Sequence, residues 1–382
     1  MSRKIHIIFC IVCLAIISLP FLQTERPWFP EPRLNGVVVE SRWPTWSWAN
    51  WWSGNFQSQV DAWLSDHLGL RSYFIKSDNQ LNFSLFQEIS QKTSTPIVLG
   101  KDRQLYEQAY IDDYVATSTV EFSRLESRVW ELKQLQDLLL ARGKKFIVLI
   151  SPSKAAIYPE YLPLGVNIKL RPPLTSYDLY RGLLDKYQVN YFDSRAYLLS
   201  LKQAGSLALF AKGGIHWSYF SACLVSAKIW HNFNNSSKDW PEIACNNLKL
   251  QDFPRKEDSD LRDLINIWQE KIFYELLIYP HPYLSNNTTY RPRLLIVGGS
   301  FIWNFLRIVK EAKIIGDSDF YYYFSEHYRY PADTFLPLAK DSWNFKQVLT
   351  DRDAVILESN ESSLTNVGFG FVTEAISQLQ RP

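Results

Sequence analysis

Leu294-Leu295-Ile296-Val297-Gly298-Gly299-Ser300-Phe301 is the stretch on which the fold turns. Four aliphatic residues run into two glycines, and a serine follows where a helix is due to begin. An unbroken apolar run of this length suits a strand buried on both faces, as in a parallel sheet covered by helices. A serine just beyond the carboxyl end of such a strand lies where open α/β sheets collect their sites. The backbone N–H groups of Gly299 and Ser300 would meet a helix N-terminus that favours developing negative charge, so they read as oxyanion donors. A serine nucleophile also needs a base, because its own hydroxyl is almost never ionised near neutral pH. Lys212-Gly213-Gly214-Ile215-His216-Trp217-Ser218 supplies the best candidate, His216. Taken singly, Ser300 also fits a structural turn and His216 a satisfied core residue.

Working outward, the strand pattern recurs. Phe146-Ile147-Val148-Leu149-Ile150 and residues 354–357 read as buried strands, and residues 189–192 as a shorter one. Between them, residues 122–142 carry Leu125, Val129, Leu132, Leu135 and Leu139 on one side of a helix that Gly143 ends. Residues 177–187, 217–233 and 261–278 also read as helices. Strands alternating with helices predict an α/β fold, a mostly parallel sheet with helices on both faces. Residues 232–260 are polar and read as a surface excursion. Tyr321, Tyr322 and Tyr323 read as a strand with two faces, or alternatively as the lining of a sugar groove. Upstream, Phe56, Val60, Trp63 and Leu64 place one apolar helical face within 54–85, interrupted at 66–71, and residues 97–99 read as a short strand. The expected division is an anchor helix (1–23), a linker with an N-terminal helical subregion (24–105) and an α/β domain (106–382).

The N-terminus bears on compartment. Arg3 and Lys4 precede an apolar run over 5–22, which as a helix spans about 27 Å, just enough for a bilayer core. Positive charge before the run places the N-terminus in the cytoplasm and the rest of the chain outside. The run therefore reads as an uncleaved single-pass signal-anchor. A cleaved signal peptide is the alternative, but residues 18–24 offer no good small-x-small cleavage pair. Three prolines within 25–32 make an extended linker. Trp43, Trp46, Trp48, Trp51 and Trp52 follow; they pack the linker onto the domain, stack on a glycan, or sit at the membrane interface. Cys10 and Cys13 lie in the apolar run. Cys223 and Cys245 lie in the exported part, where a disulfide persists, the alternative being two buried thiols. No CxxC pair occurs outside the anchor, so no zinc cluster is indicated, and no cofactor is expected. Hydrophobic residues make up 46% and charged residues 21% of the 382, as in a globular chain. The net charge of +2 leaves no footprint for nucleic acid.

Further blocks follow in order: Glu40-Ser41-Arg42, Asp66-His67-Leu68-Gly69-Leu70-Arg71, Gly100-Lys101-Asp102 with Leu105-Tyr106, and Ser151-Pro152-Ser153-Lys154 with Tyr158-Pro159-Glu160-Tyr161-Leu162-Pro163. Then come His216-Trp217, Gly298-Gly299-Ser300-Phe301 and a glutamate block from Glu358 to Glu361. From about Val39 to the C-terminus this set resembles the alginate O-acetyltransferase family, the AlgJ and AlgX proteins, with their SGNH hydrolase-like domain. The resemblance implies a permuted motif order, because ordinary SGNH hydrolases place the serine before the histidine. It also implies an exported, membrane-anchored enzyme at the periplasmic face of the inner membrane. That enzyme would acetylate hydroxyls of an exopolysaccharide through an acetyl-Ser300 intermediate, with His216 as base. A membrane acyltransferase of the MBOAT class would supply the acetyl group.

One departure matters. The family takes its triad acid two residues before the histidine, and here that position is Gly214. The acid then comes from elsewhere, with Asp193 at the end of the second strand as the candidate. Otherwise the pair runs as a dyad, or the domain binds glycan without catalysis. A carbohydrate acetylesterase, with water as acceptor, is the other enzymatic reading. Arg71 and Lys154 are candidate contacts for an anionic sugar, or else structural ion pairs. Trp217 and Tyr322 are candidate sugar-stacking residues.

Overall fold

The computed structural model describes residues 3–36, 41–89, 96–115, 121–167, 174–205, 208–234, 240–340 and 343–381. Val39 and Glu40, where the family resemblance begins, lie outside them, as do residues 235–239 of the polar segment. The chain divides into two compact units, Met1–Ile97 with Arg262–Ile272, and Val98–Leu261 with Phe273–Pro382.

The first unit contains α1 (Arg3–Glu25), α2 (Asn55–His67) and α3 (Arg71–Phe86). Over Lys4–Glu25 the mean hydropathy reaches 2.7, and this helix is long and apolar enough to cross a membrane. The break between α2 and α3 falls at the interruption expected from the sequence. Leu70 there takes a left-handed conformation, φ 66°, which a helix cannot continue through.

The second unit is built on seven strands: β1 (Lys145–Ser151), β2 (Tyr191–Asp193), β3 (Leu294–Gly298), β4 (Ser318–Tyr322), β5 (Glu326–Tyr330), β6 (Thr334–Pro337) and β7 (Ala354–Asn360). Their order across the sheet is β6-β5-β4-β3-β7-β1-β2. The five strands from β4 to β2 pair in parallel. β5 and β6 add antiparallel at one edge, so the sheet is mixed. The main helices are α4 (Phe122–Leu140), α5 (Ser176–Lys186), α6 (Ser194–Gln203), α7 (Tyr219–Asn234), α9 (Ile302–Glu311) and α10 (Phe371–Gln380), and the short α8 (Asp260–Leu264) has its first two residues in this unit.

The apolar runs are continuous because both faces of the sheet are covered. Ile147, Leu149, Leu294 and Ile296 pack with Val225 and Ile229 of α7 and with Phe305 and Ile308 of α9. Their neighbours Val148, Ile150, Leu295 and Val297 pack with Leu132 and Leu135 of α4, Leu184 of α5 and Ala375 of α10. Successive residues of one strand thus feed opposite layers. Winding explains the site's location. From β1 the sheet grows outward to β2, from β3 it grows the other way to β4, and β7 fills the gap between β1 and β3. The carboxyl ends of β1, β7 and β3 therefore flank the point where the winding reverses, where an open α/β sheet leaves a crevice.

Three local expectations need correction. The helix expected over 261–278 stops after Leu264. Asn266, at φ 47°, adopts the left-handed conformation that ends helices. Residues Leu277–Pro280 instead form a buried strand paired antiparallel with Leu248–Gln251. The helix expected from 217 begins at Tyr219, because Trp217 is extended and bridges Phe210 while the Ser218 hydroxyl accepts the Ser221 N–H. The polar segment before Asp260 is not a mere excursion. It carries Cys245, bonded to Cys223 with Cα atoms 6.0 Å apart, and it ends in buried Asp258.

Candidate active site

Ser300 sits at the first turn after β3, and α9 starts two residues later. A Cβ on Gly298 would lie 2.8 Å from Cβ and Oε2 of Glu358 and 2.9 Å from Ile302 of α9. Glycine here admits the side chain of Glu358 from β7, and so sets how tightly the strand end and helix close. The space beside this backbone is taken by a carboxylate of the protein itself.

His216 reaches Ser300 from the loop before α7. Its Nε2 lies 2.7 Å from Ser300 Oγ. Its Nδ1 lies 2.5 Å from Asp260 Oδ2 at the start of α8. Asp260 Oδ1 accepts the backbone N–H of Ile215 at 2.8 Å, so one carboxylate holds both the ring and the loop that carries it. An ionised carboxylate on Nδ1 keeps the proton there and turns a lone pair on Nε2 toward the serine hydroxyl. Burial alone would depress the His216 pKa. The charge of Asp260 and its hydrogen bond more than offset that, and the ring titrates above its ordinary value.

Asp260 therefore stands against the His216 ring in the place for which Asp193 was the candidate. Asp193 is engaged elsewhere. It accepts the Tyr177 hydroxyl at 2.5 Å, pairs with Arg181 at 3.0 Å, and caps α6 through the Ala196 N–H. Gly214 now has a physical reason. A Cβ there would fall 3.1 Å from the backbone carbonyl of Asp258, on the turn that delivers Asp260. The acid approaches through the space that a side chain at 214 would fill. Nothing in the spacing ties Asp260 to His216, 44 residues earlier, and the short Asp258-Ser259-Asp260 cluster was its only sequence signal.

Lys154 faces no solvent-exposed sugar site and forms no ion pair among the described residues. It is 1% exposed, and its Nζ donates to the carbonyls of Leu105, Ala211, Lys212 and Gly214 at 3.0, 2.6, 2.9 and 3.1 Å. Three N–H bonds shared among four carbonyls tie the His216 loop to the strand at Leu105. Burial pushes the ammonium down to about 7. Glu358, fully enclosed, accepts the Ser151 hydroxyl and the Gly299 N–H, the latter at 2.6 Å. Burial pushes its carboxyl up. The Gly299 N–H is thus already spoken for, and of the two expected oxyanion donors the Ser300 N–H remains.

The other expected contacts are also placed. Arg71 pairs with Asp66 at 3.5 Å in the first unit, the structural alternative. Trp217 is wholly buried and packs on Phe301, with ring centroids 5.2 Å apart, so it supports the turn that carries Ser300 and has no exposed face for a sugar to stack on. Tyr322 is half-buried on β4, 5.6 Å from the ring of Trp303. Trp303 itself lines a cavity of about 710 Å³ that opens onto Ser300, His216 and Asp260. Arg307 and Lys310 also line it, paired with Glu257 at 2.6 Å and Asp333 at 2.5 Å.

This geometry can be set beside known proteins. Residues 97–271 match the model of the SGNH hydrolase-like domain of the acetyltransferase AlgX. The matched span holds His216 and Asp260 and ends before Ser300. The chain is 25% identical over 259 residues to the probable alginate O-acetylase AlgJ of Pseudomonas aeruginosa, a match over 61% of this chain and 62% of the relative. It thus spans under two thirds of that relative's length. Among solved structures it is similar to the O-acetyltransferase domain of Pseudomonas putida AlgJ, with TM-score 0.48 and 17% identity over 75% of this chain and 98% of that one. It is also similar to Pseudomonas aeruginosa AlgX, with TM-score 0.43 and 14% identity over 73% and 67%.

Proposed function

We propose that this chain, with its AlgX-type SGNH hydrolase-like domain, is a membrane-anchored O-acetyltransferase acting on hydroxyls of an exopolysaccharide. The observation that carries the reading is the continuous line Ser300–His216–Asp260, with contacts of 2.7 and 2.5 Å, at the mouth of an open cavity. The names of the relatives support the choice of acetyl transfer. The helix Arg3–Glu25 supports anchoring, with the catalytic unit on the periplasmic side.

In the proposed reaction His216 Nε2 takes the Ser300 proton as Oγ attacks the acetyl carbonyl of the donor. The Ser300 N–H faces the oxygen that becomes negative. The tetrahedral intermediate collapses, His216 returns the proton to the leaving group, and acetyl-Ser300 remains. A sugar hydroxyl then loses its proton to His216 and attacks the acetyl-serine. Ser300 departs and regains its proton from the imidazolium. Asp260 steadies that imidazolium in both halves. A membrane acyltransferase of the MBOAT class is the proposed supplier of acetyl groups.

The test uses the detergent-solubilised full chain with a chromogenic acetyl ester, with and without an oligosaccharide acceptor. Acetylated sugar is expected, and Ser300→Ala should lower turnover by at least about 10³-fold. Acetate release indifferent to acceptor would make the protein an esterase. Oligosaccharide binding without turnover would make it a glycan-binding subunit.

A further inference from the structure

Residues 43–53 read Trp-Pro-Thr-Trp-Ser-Trp-Ala-Asn-Trp-Trp-Ser, five tryptophans in eleven residues without a charge. Were they packing a linker onto a core, they would be buried. Instead Trp43, Trp46, Trp48, Trp51 and Trp52 are 62, 55, 65, 43 and 79% exposed. The short helix Trp48–Trp52 has no buried residue, and neither has α2. The half-buried apolar face of α2 is covered in part by these same rings. Trp43 meets Trp63 at 4.7 Å, and Trp51 meets Phe56 at 6.0 Å. The tryptophans thus form an outer layer on α2 whose far side is bare.

That layer is fastened to the end of α1. The Gly69 N–H, just past α2, donates to Thr24 Oγ1 of α1 at 2.8 Å. Gln23 of α1 donates to the Phe29 carbonyl at 2.7 Å and accepts the Trp28 N–H at 3.0 Å, which folds the chain back as it leaves the helix. Trp63, which carries Trp43, stacks on His67 with centroids 4.5 Å apart, two residues before Gly69. An uncharged aromatic surface therefore begins where the apolar helix ends. Indole rings favour the headgroup level of a bilayer, where a broad apolar body and one N–H are both accommodated. A glycan platform would want free polar groups beside the rings. Here Ser47 caps the Trp48–Trp52 helix, Ser53 donates to the Asn50 carbonyl, and Asn50 donates to Thr45.

We propose that the tryptophan layer and the apolar face of α2 lie in the headgroup region of the membrane that α1 crosses. The proposal rests on the reading of α1 as an anchor. Residues 43–67 contain no lysine or arginine. Attachment is therefore aromatic, independent of salt and of anionic lipid, unlike that of basic interfacial helices.

The test reconstitutes the full chain into neutral phosphatidylcholine nanodiscs whose acyl chains are brominated either near the headgroup or near the terminal methyl. Shallow bromine should quench tryptophan emission about twofold more than deep bromine, reflecting the interfacial preference of indole. The Trp46→Ser/Trp48→Ser/Trp52→Ser variant should lose most of that difference, unchanged by salt, with an unaltered thermal unfolding transition. Reconstitution should also shield the wild-type rings from acrylamide, a readout that needs no variant. Equal shallow quenching in variant and wild type, or rings that stay open to acrylamide, would overturn the proposal. So would shielding by a soluble oligosaccharide in place of lipid. Insertion of α1 is scored separately by flotation and resistance to alkaline extraction. Failure there sinks the anchor reading, whereas insertion without shallow quenching sinks only the tryptophan layer.

Discussion

His216 is directed by one carboxylate with two tasks. Asp260 sets the tautomer through Nδ1 and steadies the loop through the Ile215 N–H. Asp260→Asn removes the negative charge while preserving shape, and by analogy with other triads kcat should fall by about 10⁴. The pH profile gives an independent sign. In the proposed reaction His216 acts as a base only when neutral, and Asp260 raises its pKa above the ordinary 6.5 despite burial. Wild-type kcat/KM should therefore rise with pH, with its inflection above about 6.5. In Asp260→Asn burial remains and the charge is gone, so the inflection should move to lower pH. An unmoved inflection would mean that another carboxylate governs the ring. Both serine and histidine were legible from sequence, because each sits in a local pattern of strand, glycine and turn. The acid was not legible, because its partner is fixed by a contact across the fold and not by spacing.

Elements decide how near these side chains come. β3 and β7 run in parallel register, with Val297 opposite Leu357, and Glu358 folds over the end of β3 onto Gly298 and Gly299. Gly298→Ala would drive a methyl group into Glu358 and Ile302. It should destabilise the fold by about 1–3 kcal/mol, as overpacking does. Turnover should fall as well, since Ser300 rides on the same turn. Denaturant unfolding and ester turnover measure the two effects, and an alanine variant indistinguishable from wild type in both would show that the turn closes without this contact. The strands were readable as apolar runs because both sheet faces are covered. The region from 261 to 278 was not, because Leu261, Leu264, Ile265 and Ile267 fit a helix by spacing alone. Asn266 ends it, and pairing with Leu248–Gln251 claims the residues beyond.

At the scale of the whole molecule, the chain's path places the site and a covalent link braces one layer. Cys223 in α7 is bonded to Cys245, 22 residues on. Opening a loop of this size should cost about 3 kcal/mol in the chain-entropy account. Cys223→Ser or full reduction should lower the thermal midpoint, with Ser300 and His216 still joined in the folded protein. An unchanged midpoint would mean that the buried rings of Trp230 in α7 and Trp240, with centroids 5.6 Å apart, hold this layer without the bond. Such a link persists in an oxidising compartment, in keeping with the proposed export. By itself the sequence determined the layered α/β class and the apolar N-terminal helix, and it singled out the candidate serine and histidine that the fold brings together. Those depend on periodicity and on turns, which act over a few residues. Only the tertiary structure decided that Asp260 completes the line, that Glu358 takes the Gly299 N–H, and that Lys154 gathers four carbonyls inside the protein. Each joins groups far apart in sequence, and no local pattern encodes which distant backbone will arrive beside them.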